Sequence, residues 1–264
     1  MENKTKLEYL FNKTWKTYKE NFKTFSIILL IFQFLPYTIY NIYSILTQID
    51  ESLIVNELTQ TLNWNIIIQE LIKHSALSLI LFLINMVGLV TILYILLKNK
   101  KTKTIKEAVK KSSKYYLRLI GLTALVFILL IPLYALLIIP GIIFSVYWMF
   151  AQYIIVDKDE KIIKSMKQSF YLVKNNWWKT FGKILLIGLI AMIIMMTITI
   201  TIGTTLIAIE GKTAIATGLS TTSQIISILI TNATQLLVTL FIVIFAVHLY
   251  EGLKNKKENK KIKK

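Results

Sequence analysis

Three carboxylates form the densest group of residues in this sequence that could bind a cation or catalyse hydrolysis: Asp157, Asp159 and Glu160. Paired carboxylates serve as general acid and base, and their oxygens are the ligands that divalent cations prefer. The same residues also precede a segment with helical periodicity, where acidic side chains stabilise the positive end of the helix dipole. We therefore predict a helix start here and keep a carboxylate site as the alternative.

Other residue types that support catalysis are scarce. The two histidines, His74 and His248, lie at the ends of apolar segments, where a lone histidine is typically a satisfied polar residue. The chain has no cysteine, which excludes disulfides, thiolate metal sites and lipidated cysteines. It also lacks a glycine-rich phosphate loop and a Ser/His/Asp set. We predict no enzymatic activity, no cofactor and no metal site.

Several amide side chains lie inside apolar segments that hold no Asp, Glu, Lys or Arg. Such side chains either hydrogen-bond between packed helices or line a path for a solute. Without a charged relay in these segments, proton- or ion-coupled transport is disfavoured, so we favour packing. The amides are Gln33, Asn41, Asn85, Gln152, Asn232 and Gln235.

Membrane-spanning helices must position these residues. Of the 264 residues, 55% are apolar and 17% are charged, against about 45–50% and about 25% in soluble domains. The uncharged segments are close to the ~20 residues that a helix needs to cross a bilayer. Because backbone in lipid must bond internally, even the strand-like 197–205 is predicted to be helical. We predict an all-α, single membrane domain with six spans, at about 25–46, 75–97, 119–138, 141–156, 184–207 and 224–250.

The basic residues predict the orientation. The formal net charge is +17, and 29 of the 31 Lys and Arg residues fall in 1–23, 98–118, 157–183 and 251–264. Lys and Arg accumulate in cytoplasmic loops. Six spans put both termini and both basic loops on one side, so we predict a multi-pass protein of the cell membrane with cytoplasmic termini. Because the Lys and Arg residues cluster in the segments next to the spans, the net charge is explained by membrane orientation, and we predict no nucleic-acid partner.

Three basic segments have apolar residues at steps of three and four, with lysines on the opposite face. Such helices lie in the headgroup plane of an anionic leaflet. We predict interfacial helices at about 5–23, 104–116 and 159–177, each preceding a hairpin of two spans. In the third, the apolar stripe with Met166 and Phe170 is expected to face the hydrocarbon. The residues predicted for this surface are Lys161, Lys164, Lys167, Ser169, Phe170, Lys174 and Trp177.

The three units of interfacial helix and hairpin form a weak repeat. Thr14 and Trp15 match Ser169 and Phe170 when the first unit is aligned with the third. Either the units evolved by duplication, or any basic helix that precedes a span has this pattern.

A Pro-Gly step, Pro140-Gly141, interrupts the longest apolar region. Proline ends a helix, and glycine adopts the positive φ that a reversal requires. We therefore predict a tight turn between the third and fourth spans. A proline kink within one tilted helix is the alternative, because transmembrane helices tolerate proline.

Small hydroxyl residues recur every four positions in the last two spans. In an antiparallel hairpin, helices approach closely where small residues face each other. We predict that Thr197 faces Thr231, that Thr201 faces Ser227, and that Thr205 faces Ser223. The alternative is that each hydroxyl bonds to its own helix.

The stretch 140–177 resembles the membrane domain found in glycerophosphoryl diester phosphodiesterases and in related six-span bacterial and archaeal membrane proteins of unknown function. The resemblance implies a membrane module without phosphodiesterase activity, because catalysis in those enzymes belongs to a separate soluble barrel. Three residues depart from the family pattern: Ser165 stands where the family has Ala, Asn175 where it has Gly, and Tyr147 where a basic residue is common. The places of the pattern are taken here by Pro140-Gly141, Tyr147-Trp148, Phe150-Ala151, Asp157, Ser165-Met166, Ser169, Leu172, Lys174, Asn175 and Trp177.

These patterns favour a non-enzymatic membrane protein whose basic cytoplasmic face binds anionic phospholipid headgroups or docks a partner. A second copy of the chain or another membrane protein would also fit that face. A small-solute or lipid transporter, or a component of a permease, is the alternative.

Overall fold

The computed structural model describes residues 6–46, 64–98, 104–136, 138–211 and 219–262. All regular secondary structure in these ranges is helical, which confirms the all-α prediction. The segment 197–205 lies within a helix despite its β-branched residues.

Ten α-helices occur in the described ranges, numbered here in chain order. A π-helical turn, Leu30–Phe34, joins the first two. Two 3-10 turns, Ser113–Tyr115 and Lys174–Asn176, join the fourth to the fifth and the eighth to the ninth. The helices are α1 (Leu7–Leu29), α2 (Leu35–Leu46), α3 (Trp64–Lys98), α4 (Ile105–Ser112), α5 (Tyr116–Leu136), α6 (Ile138–Trp148), α7 (Ala151–Lys158), α8 (Ile162–Val173), α9 (Trp177–Glu210) and α10 (Thr221–Ile262).

Six helical segments among the described residues are long and apolar enough to cross a membrane. This result confirms a polytopic membrane fold with six candidate spans. The grouping of the spans into three hairpins and their orientation remain predictions. The segments are Leu7–Leu46, Ser75–Lys98, Ile105–Ala135, Ile138–Lys158, Ile162–Glu210 and Thr221–Asn259.

The predicted interfacial segments are continuous with the helices that follow them. No interruption separates 5–23 from 25–46, because α1 runs to Leu29 and continues through the π-helical turn into α2. No proline or glycine occurs in that sequence before Pro36, so nothing stops the helix. In the other two units, a single 3-10 turn is all that separates the short helix from the span.

The predicted turn at Pro140-Gly141 is wrong. α5 ends at Leu136 and α6 begins at Ile138, so the interruption precedes Pro140. Pro140 is the third residue of α6, where an N–H would lack an intrahelical acceptor, so proline costs little there. Gly141 does not have a positive φ. Instead, the Tyr134 ring lies against its Cα: a Cβ at this position would lie 2.4 Å from Cδ1 of Tyr134, so a larger residue would require the ring to move.

The first and last helices run antiparallel along most of their length. At one end Lys13 Nζ lies 2.7 Å from Glu251 Oε2, and towards the other Asn232 Nδ2 donates to Thr38 Oγ1 at 3.0 Å. The second span approaches α1 and the π-helical turn closely at Gly88, where an added Cβ would lie 2.9 Å from Cβ of Phe32.

The core surrounds α7, whose residues Tyr153 to Val156 are all buried. A helix that is apolar on every side must be enclosed by other helices. Residues of α1, α3, α5, α8, α9 and α10 pack into the same cluster. This buried cluster includes Val156, directly before Asp157 in the chain.

Candidate functional site

Hydrogen bonds and ion pairs join the lysine-rich parts of different helices, which places them at one end of the molecule. Lys13 of α1 pairs with Glu251 of α10. Lys256 of α10 donates to Asn176 Oδ1, next to the start of α9, at 2.7 Å. We call this end the basic end; it consists of residues 6–23, 104–118, 157–183 and 251–262.

Asp157 is the central acidic residue of the basic end. Its Oδ2 accepts hydrogen bonds from Lys254 Nζ at 2.6 Å and from Tyr250 Oη at 2.7 Å, both on α10. Its backbone carbonyl accepts a bond from Lys98 Nζ of α3 at 2.6 Å. The side chain of Asp157 is 14% exposed and that of Lys254 is 30% exposed. One residue of α7 thus joins α3 and α10.

The other two carboxylates pair with separate cations. Asp159, with φ 59°, lies 3.0 Å from Lys114 Nζ and 2.5 Å from Arg118 Nη1. The hydrogen bonds from Lys114 and Arg118 hold the pKa of Asp159 below its ordinary value. Glu160 pairs with Lys164 at 2.8 Å.

A helix starts directly after these acids, as predicted, but none of them lies in its first turn. α8 begins at Ile162, and its N-terminus has no side-chain cap. The carboxylates instead form charge-assisted hydrogen bonds with lysine and arginine side chains. The cation-site alternative has no support in the described residues, which contain no group of three or more Asp, Glu or His placed to hold a metal ion.

His248 lies between the first and last helices. Its Nδ1 is 3.2 Å from Glu251 Oε2, and its Nε2 is 2.9 Å from Thr17 Oγ1. Both ring nitrogens therefore have polar partners in the protein, as the sequence predicted for a packed histidine. The side chain of His74 lies outside the described residues.

The predicted surface of the third interfacial helix is divided between solvent and protein. Lys161, Lys164, Lys167 and Lys174 are exposed. The apolar stripe was predicted to face hydrocarbon, but most of it contacts protein. Met166 is buried, the Phe170 ring lies 4.4 Å from that of Tyr147, and Trp177 Nε1 donates to Ile143 O at 3.2 Å. The stripe therefore packs on protein, chiefly on α6. Ile163 alone in this stripe remains 56% exposed.

Ser169 bridges the interruption between α6 and α7. Its Oγ donates to the carbonyl of Tyr147 at 2.6 Å and accepts from the N–H of Phe150 at 3.2 Å. Met149 and Phe150 lie between the two helices, where regular helical bonding is interrupted. Ser169 is fully buried, so its hydroxyl replaces the water that these groups would otherwise bind.

A buried hydroxyl recurs in all three units. Thr14, Ser112 and Ser169 are 0–2% exposed. Each follows a buried residue by four positions, so both members lie on one helix face. Thr14 is the residue that the sequence repeat aligned with Ser169. The four-residue spacing would have identified Ser112 as the equivalent residue of the second unit. The preceding residues are Leu10, Ala108 and Ser165.

The predicted register of the last two spans is wrong for its threonines. Thr197, Thr201 and Thr205 are exposed, and each Oγ1 donates to the carbonyl four residues earlier, at 2.7–2.8 Å. A hydroxyl satisfied within its own helix needs no partner across an interface. On α10, Ser223 is buried, and Ser227 and Thr231 are half-buried.

The amides inside the spans have different surroundings. Asn232 donates to Thr38, which is the interhelical packing that the sequence favoured. Gln33 lies in the π-helical turn and is 8% exposed, and its buried Oε1 accepts no hydrogen bond from the described residues. Asn41, Asn85 and Gln152 are half-buried, and Gln235 is exposed.

Two adjoining pockets, which were not predicted from the sequence, include residues of the basic end. The larger, about 730 Å³, lies between α6 and the start of α9, and its lining combines apolar side chains with Lys174 and Asn175. The smaller, about 360 Å³, is lined by Lys179, Lys183 and Lys256. Trp178 and Lys179 line both pockets. Lys256 is 73 residues or more from the other two in sequence, so only the fold brings the three together.

The family of the chain follows from a comparison with known families. Residues 71–253, well over half of the chain, match a family described as a domain of unknown function, DUF7847. The chain belongs to this family. No curated protein and no solved structure matches it. The match shows no link to glycerophosphoryl diester phosphodiesterases, so it does not support that part of the resemblance.

Proposed function

We propose that this chain is a non-enzymatic integral protein of the cell membrane that binds anionic phospholipid through its basic end. In this proposal both termini and the basic end face the cytoplasm. The bound partner is the headgroup layer of the inner leaflet, which carries negative charge.

One observation carries the proposal: exposed lysines and large exposed apolar side chains occur together at the basic end. Leu117 and Trp178 are each 78% exposed, and Ile163 is 56% exposed. Lys161, Ile163 and Lys167 line one pocket of about 600 Å³ with Arg118. In water such apolar exposure is costly, whereas at a membrane surface the apolar groups enter the lipid while the cations meet phosphates.

The orientation predicts how single cysteines react. The chain has no native cysteine, so each introduced thiol is unique. A thiol introduced by Lys174→Cys, at the exposed basic end, should react with an impermeant maleimide only after the cells are opened. One introduced by Thr59→Cys, which lies outside the described residues, should react in intact cells. Reaction of both in intact cells would contradict the orientation.

Lipid binding predicts selective enrichment of an anionic lipid. The full chain is reconstituted in bilayers of equal phosphatidylglycerol and phosphatidylcholine, extracted in mild detergent, and its bound lipids are quantified. Phosphatidylglycerol should be enriched at least about threefold, and the enrichment should fall as salt rises from about 0.05 to 0.5 M, because salt screens exposed charges.

Equal recovery of the two lipids at low salt would refute the proposed function. Enrichment that high salt leaves unchanged would mean that apolar contacts, and not charge, select the lipid. Selective movement of a solute across the same bilayers would instead support the transporter alternative.

A further inference from the structure

The two adjoining pockets at the start of α9 form one surface with a cationic part and an apolar part. They meet at Trp178 and Lys179, which line both. We propose that a single anionic phospholipid occupies them, with its phosphate among Lys179, Lys183 and Lys256 and an acyl chain in the larger pocket. This inference rests on the proposed function and assigns it a discrete site.

The charge of the smaller pocket selects a phosphate. Its lining contains three lysines, and no Asp or Glu is among its described residues. The hydrogen bond from Lys256 Nζ to Asn176 Oδ1, at 2.7 Å, holds that ammonium group beside the start of α9. Three ammonium groups in one pocket repel each other, and a bound anion relieves this repulsion.

The basic pocket that contains Arg118 is less suited to a discrete anion. Arg118 already pairs with Asp159, and Lys164 pairs with Glu160. These carboxylates neutralise part of the charge, so that surface contributes a diffuse attraction to the membrane instead of a defined site.

The larger pocket selects a lipid over a soluble phosphate. Its apolar wall is formed by Ile139, Ile142, Ile143, Tyr147 and Phe181, and its volume of about 730 Å³ exceeds what a phosphate needs. The uncharged part of α9 begins at Ile184, directly after Lys183. Trp178 lines both pockets, and tryptophans concentrate in membrane proteins at the depth where headgroups meet hydrocarbon.

The test uses the full chain, delipidated in a neutral detergent and titrated with phosphatidylglycerol, while native mass spectrometry counts the lipids bound. The site variant carries Lys179→Gln, Lys183→Gln and Lys256→Gln. The control variant removes the same charge elsewhere at the basic end, through Lys23→Gln, Lys106→Gln and Lys110→Gln. We expect one tight lipid per chain, an affinity at least about tenfold lower in the site variant, and less than about a twofold change in the control.

Two further variants keep the test valid if the triple variant does not fold. Lys179→Gln alone changes an exposed side chain and should weaken phosphatidylglycerol binding by at least about threefold. Trp178→Ala removes the exposed indole shared by both pockets and should weaken binding of phosphatidylglycerol but not of inorganic phosphate.

Each other outcome has a separate meaning. Equal losses in the two triple variants would overturn the discrete site and leave the proposed function intact. Absence of phosphatidylglycerol binding by the unmodified chain would refute both. Inorganic phosphate that binds as tightly as the lipid would make this a soluble-anion site, and equal binding of phosphatidylcholine would remove the role of the lysines.

Discussion

Replacement of Asp157 by asparagine is expected to lower the free energy of unfolding by about 3 kcal/mol, because it leaves Lys254 without its carboxylate in a mostly buried position. The side chains of Asp157 and Lys254 are 14% and 30% exposed, so water compensates little for the lost partner. Tyr250 loses a charged acceptor at the same time. The measurement is unfolding of the full chain in detergent micelles, followed by tryptophan fluorescence.

Asp159→Asn is the matched control, since it removes the same charge two residues away. Asp159 and its partners Lys114 and Arg118 are 41–55% exposed, and exposed pairs contribute at most about 1 kcal/mol. Equal destabilisation by the two variants would refute the role of burial. Lys254→Met should also lower the free energy of unfolding by less in the Asp157→Asn variant than in the unmodified chain, because Asp157→Asn has already broken the ion pair.

The spans were predictable because each is a local property of the sequence. An uncharged segment such as 184–207 can only satisfy its backbone as a helix in lipid, whatever it packs against. The clustering of lysines in four segments was equally clear from the sequence. The structure brings those segments together through pairs such as Lys13 with Glu251.

Features that depend on distant residues were not predictable. The Tyr134 ring packs against Gly141, which the turn propensity of Pro-Gly does not reveal. The spacing of Thr197, Thr201 and Thr205 fits an interhelical face and self-bonding equally well, and self-bonding prevails. The lysine pocket depends on Lys256 reaching Asn176, which is 80 positions away in the chain.

Ser169→Ala is expected to lower the free energy of unfolding by about 2 kcal/mol. The hydroxyl donates to the Tyr147 carbonyl and accepts from the Phe150 N–H between α6 and α7. Alanine has no hydroxyl, so both backbone groups lose this hydrogen-bond partner in a buried position. A buried polar group that loses its partner costs about 1–3 kcal/mol. The same fluorescence-monitored unfolding experiment measures the effect.

The control for this prediction is Ser145→Ala, a serine on α6 whose Oγ donates to the carbonyl of Ile142 in its own helix at 2.8 Å. Its loss should change the free energy of unfolding by less than about 0.5 kcal/mol, because such local bonds contribute little to a helix. If the two variants lose the same stability, the hydroxyl of Ser169 does not support the junction. If Ser169→Ala alone is destabilised, Ser169 has a structural role at this junction. It is the serine that both the sequence resemblance and the repeat indicated. Its hydroxyl then holds the end of α6 against the start of α7, and so keeps Asp157 in place beside α10.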